Sequence, residues 1–189
     1  TDISANQMLT LSYTEATTSA KKKEKKLFTE KQLVSFQHQE NEFDDYAKEV
    51  LLPHKNSQHG PGIAVADVNG DGLEDFYVGG AANQSGALYV QTATGGFSAK
   101  GGPWSADKKC EDLNAHFFDV DSDGDSDLYV VSGGNEFENQ PALLQDRLYL
   151  NNGSGSFTKA SNTLPKMEVS GQAITSADMD GDGDLDLFV

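Results

Sequence analysis

The sequence has one cysteine, Cys110, in 189 residues. A lone cysteine excludes an intrachain disulfide and a zinc cluster built on thiolates. Cys110 is expected to act as an inert small apolar residue. No apolar run approaches the ~18 residues of a membrane-spanning helix, and no signal peptide opens the chain. Basic residues are scarce too, with 14 Lys and Arg against 30 Asp and Glu and a formal net charge of −16. That balance argues against nucleic acid or an anionic membrane surface as a partner. The chain starts Thr1-Asp2-Ile3 without an initiator methionine, so it is expected to be a processed or partial product.

What is present is glycine, at 19 residues, with abundant Asp, Asn and Ser. This mixture suits short strands joined by tight turns. The acid is not spread evenly. Fourteen of the 30 acidic residues fall within 67–75, 119–127 and 178–186, a clustering that favours cation sites over a merely solubilising surface.

Aligned on these clusters, three segments read IAVADVNGDGLEDFYVGG, AHFFDVDSDGDSDLYVVSGG and ITSADMDGDGDLDLFV. Their offsets are 52 and 59 residues. Repeats of roughly this length mark stacked architectures such as propellers. In each unit an apolar strand enters the acidic loop and a second strand follows at once. A third strand (GALYVQT, DRLYLNN) and a Gly-rich hairpin to a fourth (TGGFSA, NGSGSFTKA) complete it. Asn152-Gly153 is a strong hairpin signal. Four antiparallel strands per unit is the content of a propeller blade. The fold class read from this pattern is all-β, a partial propeller of about two and a half blades at 60–189. Such a stack would leave open edges, so further blades are expected from the full-length chain or another subunit.

Each loop fits D-x-[D/N]-x-D-G-x-x-D. Calcium takes six to eight hard oxygen ligands, and alternate side chains of a curled loop point inward to supply them. The ligands expected are Asp67, Asn69, Asp71 and Asp75, with the carbonyl of Leu73, in the first loop. In the second they are Asp119, Asp121, Asp123 and Asp127, with the carbonyl of Asp125. In the third they are Asp178, Asp180, Asp182 and Asp186, with the carbonyl of Asp184. Gly72, Gly124 and Gly183 allow the sharp turn at position 6. Up to three Ca2+ ions are therefore expected, the first site weakest because Asn69 removes one charge. Magnesium, which demands a tight octahedron, suits these loops less. An EF-hand is ruled out, because its Glu at position 12 is Val78 or Val130 here.

Other segments are less regular. Residues 1–13 read as the end of a preceding module, with a strand-like stretch NQMLTLSY, and 14–26 as a charged linker ending in KKKEKK. Residues 27–59 form a lead-in in which Val34 and Phe36 alternate as in a strand and FDDYAKEVLLP suggests a helical turn or two. His38, His54 and His59 are expected to be structural or exposed residues, not ligands. The second unit carries eight extra residues within 133–146, between its second and third strands. Insertions in repeat proteins gather on one face, often the binding face, so Asn135, Glu136 and Phe137 are the candidate partner-binding residues.

The segments DVNGDGLEDFYVGG, DVDSDGDSDLYVVSGG, RLYLNNGSGSF and DMDGDGDLDLFV resemble the FG-GAP/VCBS repeat family, found also in integrin α subunits. The likeness covers 60–189. It is closest to the bacterial and cartilage-acidic-protein branch, whose propeller accompanies an ASPIC/UnbV module, and ANQMLTL is similar to the last strand of such a module. The resemblance implies a seven-bladed ring, calcium between the first two strands of a blade, and an extracellular or cell-surface setting. The expected role is a non-catalytic calcium-binding module for adhesion to a protein or glycan. A component of a large surface assembly and a polysaccharide-active enzyme are the alternatives.

Overall fold

The computed structural model describes residues 27–189. The chain divides into two units, Thr1–Gln32 and Leu33–Val189. Of the first, residues 27–32 are described, and they are irregular and exposed. The expected module end at 1–13 and linker at 14–26 lie outside the described residues.

The second unit is all-β. Strands β1 (Ile63–Ala66), β2 (Asp75–Val78), β3 (Ala87–Gln91) and β4 (Phe97–Lys100) form one four-stranded antiparallel sheet in sequence order. Strands β5 (Asp112–Phe118), β6 (Asp127–Ser132), β7 (Arg147–Leu150) and β8 (Thr158–Lys159) repeat the arrangement. A third unit contributes β9 (Thr175–Ala177) and β10 (Asp186–Phe188), paired antiparallel. These are propeller blades, and the described residues do not close a ring. In the first two blades the expected third and fourth strands form where the sequence places them.

Strand β6 shows why the sheets stack. Successive side chains of a strand point to opposite faces. Leu128 and Val130 face the first blade, where they join Ala64, Val68, Tyr77, Leu88, Trp104, Ala115 and Tyr149. Tyr129 and Val131 face the other way and pack with Phe118 and Leu148 against Leu164, Ile174 and Leu187. Both faces of β6 are thus buried, which is why DLYVVS reads as a continuous apolar run and not as an alternation. Each large apolar side chain so buried contributes about 1.5–3 kcal/mol.

The innermost strands approach closely. A Cβ on Gly62 would stand 2.4 Å from Asn114 Cα, so only glycine lets the start of the first blade lie against β5. Between β4 and β5 a 3-10 turn, Pro103–Asp107, inserts Trp104 between the blades, edge-on to Tyr77, Tyr149 and Phe157. Cys110 is buried, and burial pushes its thiol up, which keeps it protonated and inert.

The lead-in differs from its reading in one part. Val34 and Phe36 form no strand, while FDDYAKEVLLP forms one helical turn, of 3-10 type, at Asp45–Ala47. The segment is held by side chains instead of by a ladder. Gln84, between β2 and β3, accepts from Gln39 N at 3.0 Å and donates to the Gln37 carbonyl at 2.8 Å. Fully buried Asp45 accepts from the amides of Asn56 and Ser57 and from the Ser57 hydroxyl. Alternation alone predicts a strand only where a sheet edge is available to pair with it.

Candidate metal centres

The three acidic loops occupy equivalent places, connecting β1 to β2, β5 to β6 and β9 to β10. Their internal bonding repeats as well. The position-1 carboxylate accepts the amide of the position-6 glycine: Asp67 from Gly72 at 2.7 Å, Asp119 from Gly124 at 3.0 Å and Asp178 from Gly183 at 3.2 Å. The position-5 carboxylate accepts the amide of position 7: Asp71 from Leu73, Asp123 from Asp125 and Asp182 from Asp184. Asn69 and Asp180, at position 3, accept from position 5. The position-9 carboxylate reaches back to the amide of position 2: Asp75 to Val68, Asp127 to Val120 and Asp186 to Met179, at 3.1, 3.0 and 2.9 Å.

The backbone makes this curl possible. Gly72, Gly124 and Gly183 have φ of 82°, 91° and 98°. Position 4 is left-handed too, at Gly70, Ser122 and Gly181. The sequence reading did not single out position 4, although glycine there in two loops was the available signal.

Position 9 also braces the blade. Asp75 and Asp127 are essentially buried, and their second oxygens accept the amides of Gln91 and Asn151 at 2.7 Å each. These donors lie at the ends of the third strands, the same bond in both blades once the eight-residue insertion is allowed for. Asn151 goes further. Its side chain donates to the Val68 carbonyl in the first loop at 2.8 Å and to the Ser126 carbonyl in the second at 3.1 Å. It physically joins two neighbouring loops, and nothing in the repeat pattern marks it.

In the second loop one oxygen each from Asp119, Asp121 and Asp127 lie within 4.8 Å of one another, and in the third so do those of Asp178, Asp180 and Asp186. The trio is positions 1, 3 and 9 in both. In the first loop position 3 is Asn69, whose amide nitrogen donates to Asp71 at 3.0 Å. Different positions carry the perturbed carboxyls in each loop. In the first loop the Gly72 amide, helped by those of Gly70, Asp71 and Asn69, holds the Asp67 carboxyl below its ordinary range. In the second, Asp125 is pushed up by burial and by Asp123, Asp127, Asp121 and Asp119, and its Oδ1 is buried without a partner. In the third, Asp184 is pushed up first by its contact with Asp182.

The model of the FG-GAP-like repeat matches residues 67–130 and again 119–189, together most of the chain. The chain belongs to the FG-GAP-like repeat family. Each match begins on the position-1 aspartate of a loop, so the FG-GAP-like repeats take in all three acidic loops and the strands from β2 onward. They do not extend to residues 1–13, and the ASPIC/UnbV likeness of that stretch is not confirmed. Comparison with curated proteins gives no match.

Of the expected partner-binding residues, Asn135 and Glu136 are half-buried and Phe137 is buried. Phe137 is 6% exposed. Asn135 donates its side-chain amide to Asp45 and Glu49 of the lead-in, and Glu136 accepts the Asn135 amide. The exposed crest of the insertion is Glu138–Ala142. No helix of the described residues is long and apolar enough to cross a membrane.

Proposed function

We propose that this chain is a calcium-stabilised, extracellular or cell-surface propeller module that binds a protein or glycan without catalysing a reaction. The observation that carries the calcium reading is the recurrence of one oxygen-only donor arrangement at the same place in each repeat. Hard oxygen donors of this number and flexibility suit Ca2+, which would supply the positive charge that the crowded carboxylates lack. Asp119, Asp121, Asp123 and Asp127, and Asp178, Asp180, Asp182 and Asp186, would hold it through their free lone pairs. Asp67, Asn69, Asp71 and Asp75 would do so more weakly. The carbonyls of Leu73, Asp125 and Asp184 complete each set.

In this reading the loops are braces and not the contact surface. Position 9 supports this, since Asp75 and Asp127 spend their second oxygens on the third strand of the blade. The partner surface is then the insertion crest at Glu138–Ala142, with Asn135, Glu136 and Phe137 supporting it from beneath. Extracellular calcium modules bind at about 10⁻⁴–10⁻³ M, which matches that compartment.

The apolar outer faces favour a companion role in assembly. Ile63 and Val65 on one side and Met179 and Phe188 on the other are 58–70% exposed. Further blades, from the same protein or another subunit, would cover them. Binding of the chain to glycan and protein arrays in calcium tests the whole reading. It requires binding without turnover that is lost on substituting the crest with melting temperature unchanged. Glycan turnover, or no difference between native and substituted crest, would contradict it.

A further inference from the structure

A second cluster lies apart from the acidic loops. A ring nitrogen of His38 and one carboxylate oxygen each from Glu40 and Glu111 lie within 4.8 Å of one another. Glu111 is about 70 positions from His38 and Glu40 in sequence, and three features bring them together. Gln84 holds residues 37–39 against the first blade through Gln39 N and the Gln37 carbonyl. Glu111 immediately precedes β5, and its backbone carbonyl accepts from Gly133 at 3.2 Å. One Glu111 oxygen accepts the Ala82 amide at 2.9 Å, which orients the side chain.

The hydrogen bonding of this cluster is incomplete. Glu111 is 0% exposed, yet its Oε1 has no partner. Glu40 Oε1 lies 2.8 Å from His38 Nε2, while Glu40 Oε2 and His38 Nδ1 are both buried and unpartnered. Glu136 Oε1 is unpartnered as well, and Glu136 is the first of the charges acting on Glu111. Of the six such atoms among the described residues, these are four. Burial above all, with Glu136, Glu40 and Asp112 adding to it, pushes the Glu111 carboxyl up to about 8. Buried carboxylates without a counter-charge are costly, and native proteins pair them or use them to coordinate a metal.

We propose that His38, Glu40 and Glu111 form a binding site for a divalent transition ion of the zinc class, distinct from the calcium loops. The donor chemistry makes the distinction. Calcium takes oxygen alone, whereas one imidazole with two carboxylates suits zinc and its neighbours. Adjacent ligands on a tetrahedral ion with bonds of about 2.0–2.1 Å stand roughly 3.3 Å apart, a spacing these side chains reach with small adjustment. Three protein ligands leave a fourth position open. The ion would fasten the lead-in segment to the junction of the first two blades, a role that local strand pairing does not fill.

Calorimetric titration of the untagged chain with Zn2+, in saturating calcium, tests the site. Titration with Co2+ adds its visible absorption as a report on ligand type. The expected result is one zinc site that calcium does not displace, and a cobalt spectrum of tetrahedral intensity. His38→Gln and the near-isosteric Glu111→Gln should each weaken zinc by more than about tenfold. His38 is partly exposed, so its variant keeps the test valid if Glu111→Gln fails to fold. Absence of zinc binding in calcium would overturn the proposal, as would affinity unchanged in His38→Gln.

Discussion

Arg147 Nη2 meets Asp112 Oδ1 at 2.6 Å, and neither side chain is more than 5% exposed. The pair ties β7 to the start of β5 within the second blade. The other oxygen of Asp112 accepts the Tyr77 hydroxyl at 2.9 Å and the Gly80 amide at 3.0 Å, both from the first blade. The second blade repeats this bonding with a different residue. There Asp146, at the end of the insertion, accepts the Tyr129 hydroxyl and the Ser132 amide. Asp112 is thus the interblade version of a contact that Asp146 makes inside one blade.

Asp112→Ala should be severely destabilising. It removes an acceptor from two buried donors and leaves the Arg147 guanidinium uncompensated in the interior. Breaking a buried pair in this way costs about 3–5 kcal/mol. Urea unfolding measures it, and a loss below about 1 kcal/mol would show that the pair does not hold the blades together.

Ser122 should be improvable. It adopts φ 63° where the other two loops have Gly70 and Gly181. An L-residue in this region costs roughly 1–2 kcal/mol relative to its right-handed conformation, so Ser122→Gly should stabilise the chain by about 1 kcal/mol. A lower melting midpoint in denaturant would contradict the strain assigned to this loop.

Asn151→Ala should cost about 1–3 kcal/mol, because the carbonyls of Val68 and Ser126 lose their shared donor. Hydrogen exchange gives a sharper readout. The Val68 and Val120 amides, which close the first and second loops, should exchange faster together in the variant. Faster exchange in one loop alone would show that Asn151 does not couple them.

Asn69→Asp should tighten calcium binding at the first loop. It restores the carboxylate that the second and third loops carry as Asp121 and Asp180. The added charge is worth on the order of 1 kcal/mol, about fivefold in affinity, in calorimetric titration. An unchanged weakest site would place the difference between loops elsewhere.

The loops were legible in the sequence because their chemistry is local. Nine consecutive residues carry position, turn and donor, and the positive φ at Gly72, Gly124 and Gly183 follows the spacing. The strands were legible because both faces of β6 are buried, giving an uninterrupted apolar run. The lead-in was not, because its conformation depends on Gln84 and Asp45, single side chains with partners that no periodicity reveals. His38 was set aside as structural for the same reason. Its neighbour Glu111 is far away in sequence, and no local pattern links the two. The orientation of Phe137 also escaped, since an insertion marks a face without saying which of its residues turn inward.

The most direct test of the account is thermal unfolding of the full chain in calcium and in chelator, with magnesium as control. At calcium about ten times the dissociation constant, each filled loop adds about 1.4 kcal/mol. Three loops should then raise the melting temperature by on the order of 10 °C, with a smaller rise in magnesium. Superimposable curves in calcium and chelator would contradict the assignment of the three aspartate loops as calcium braces.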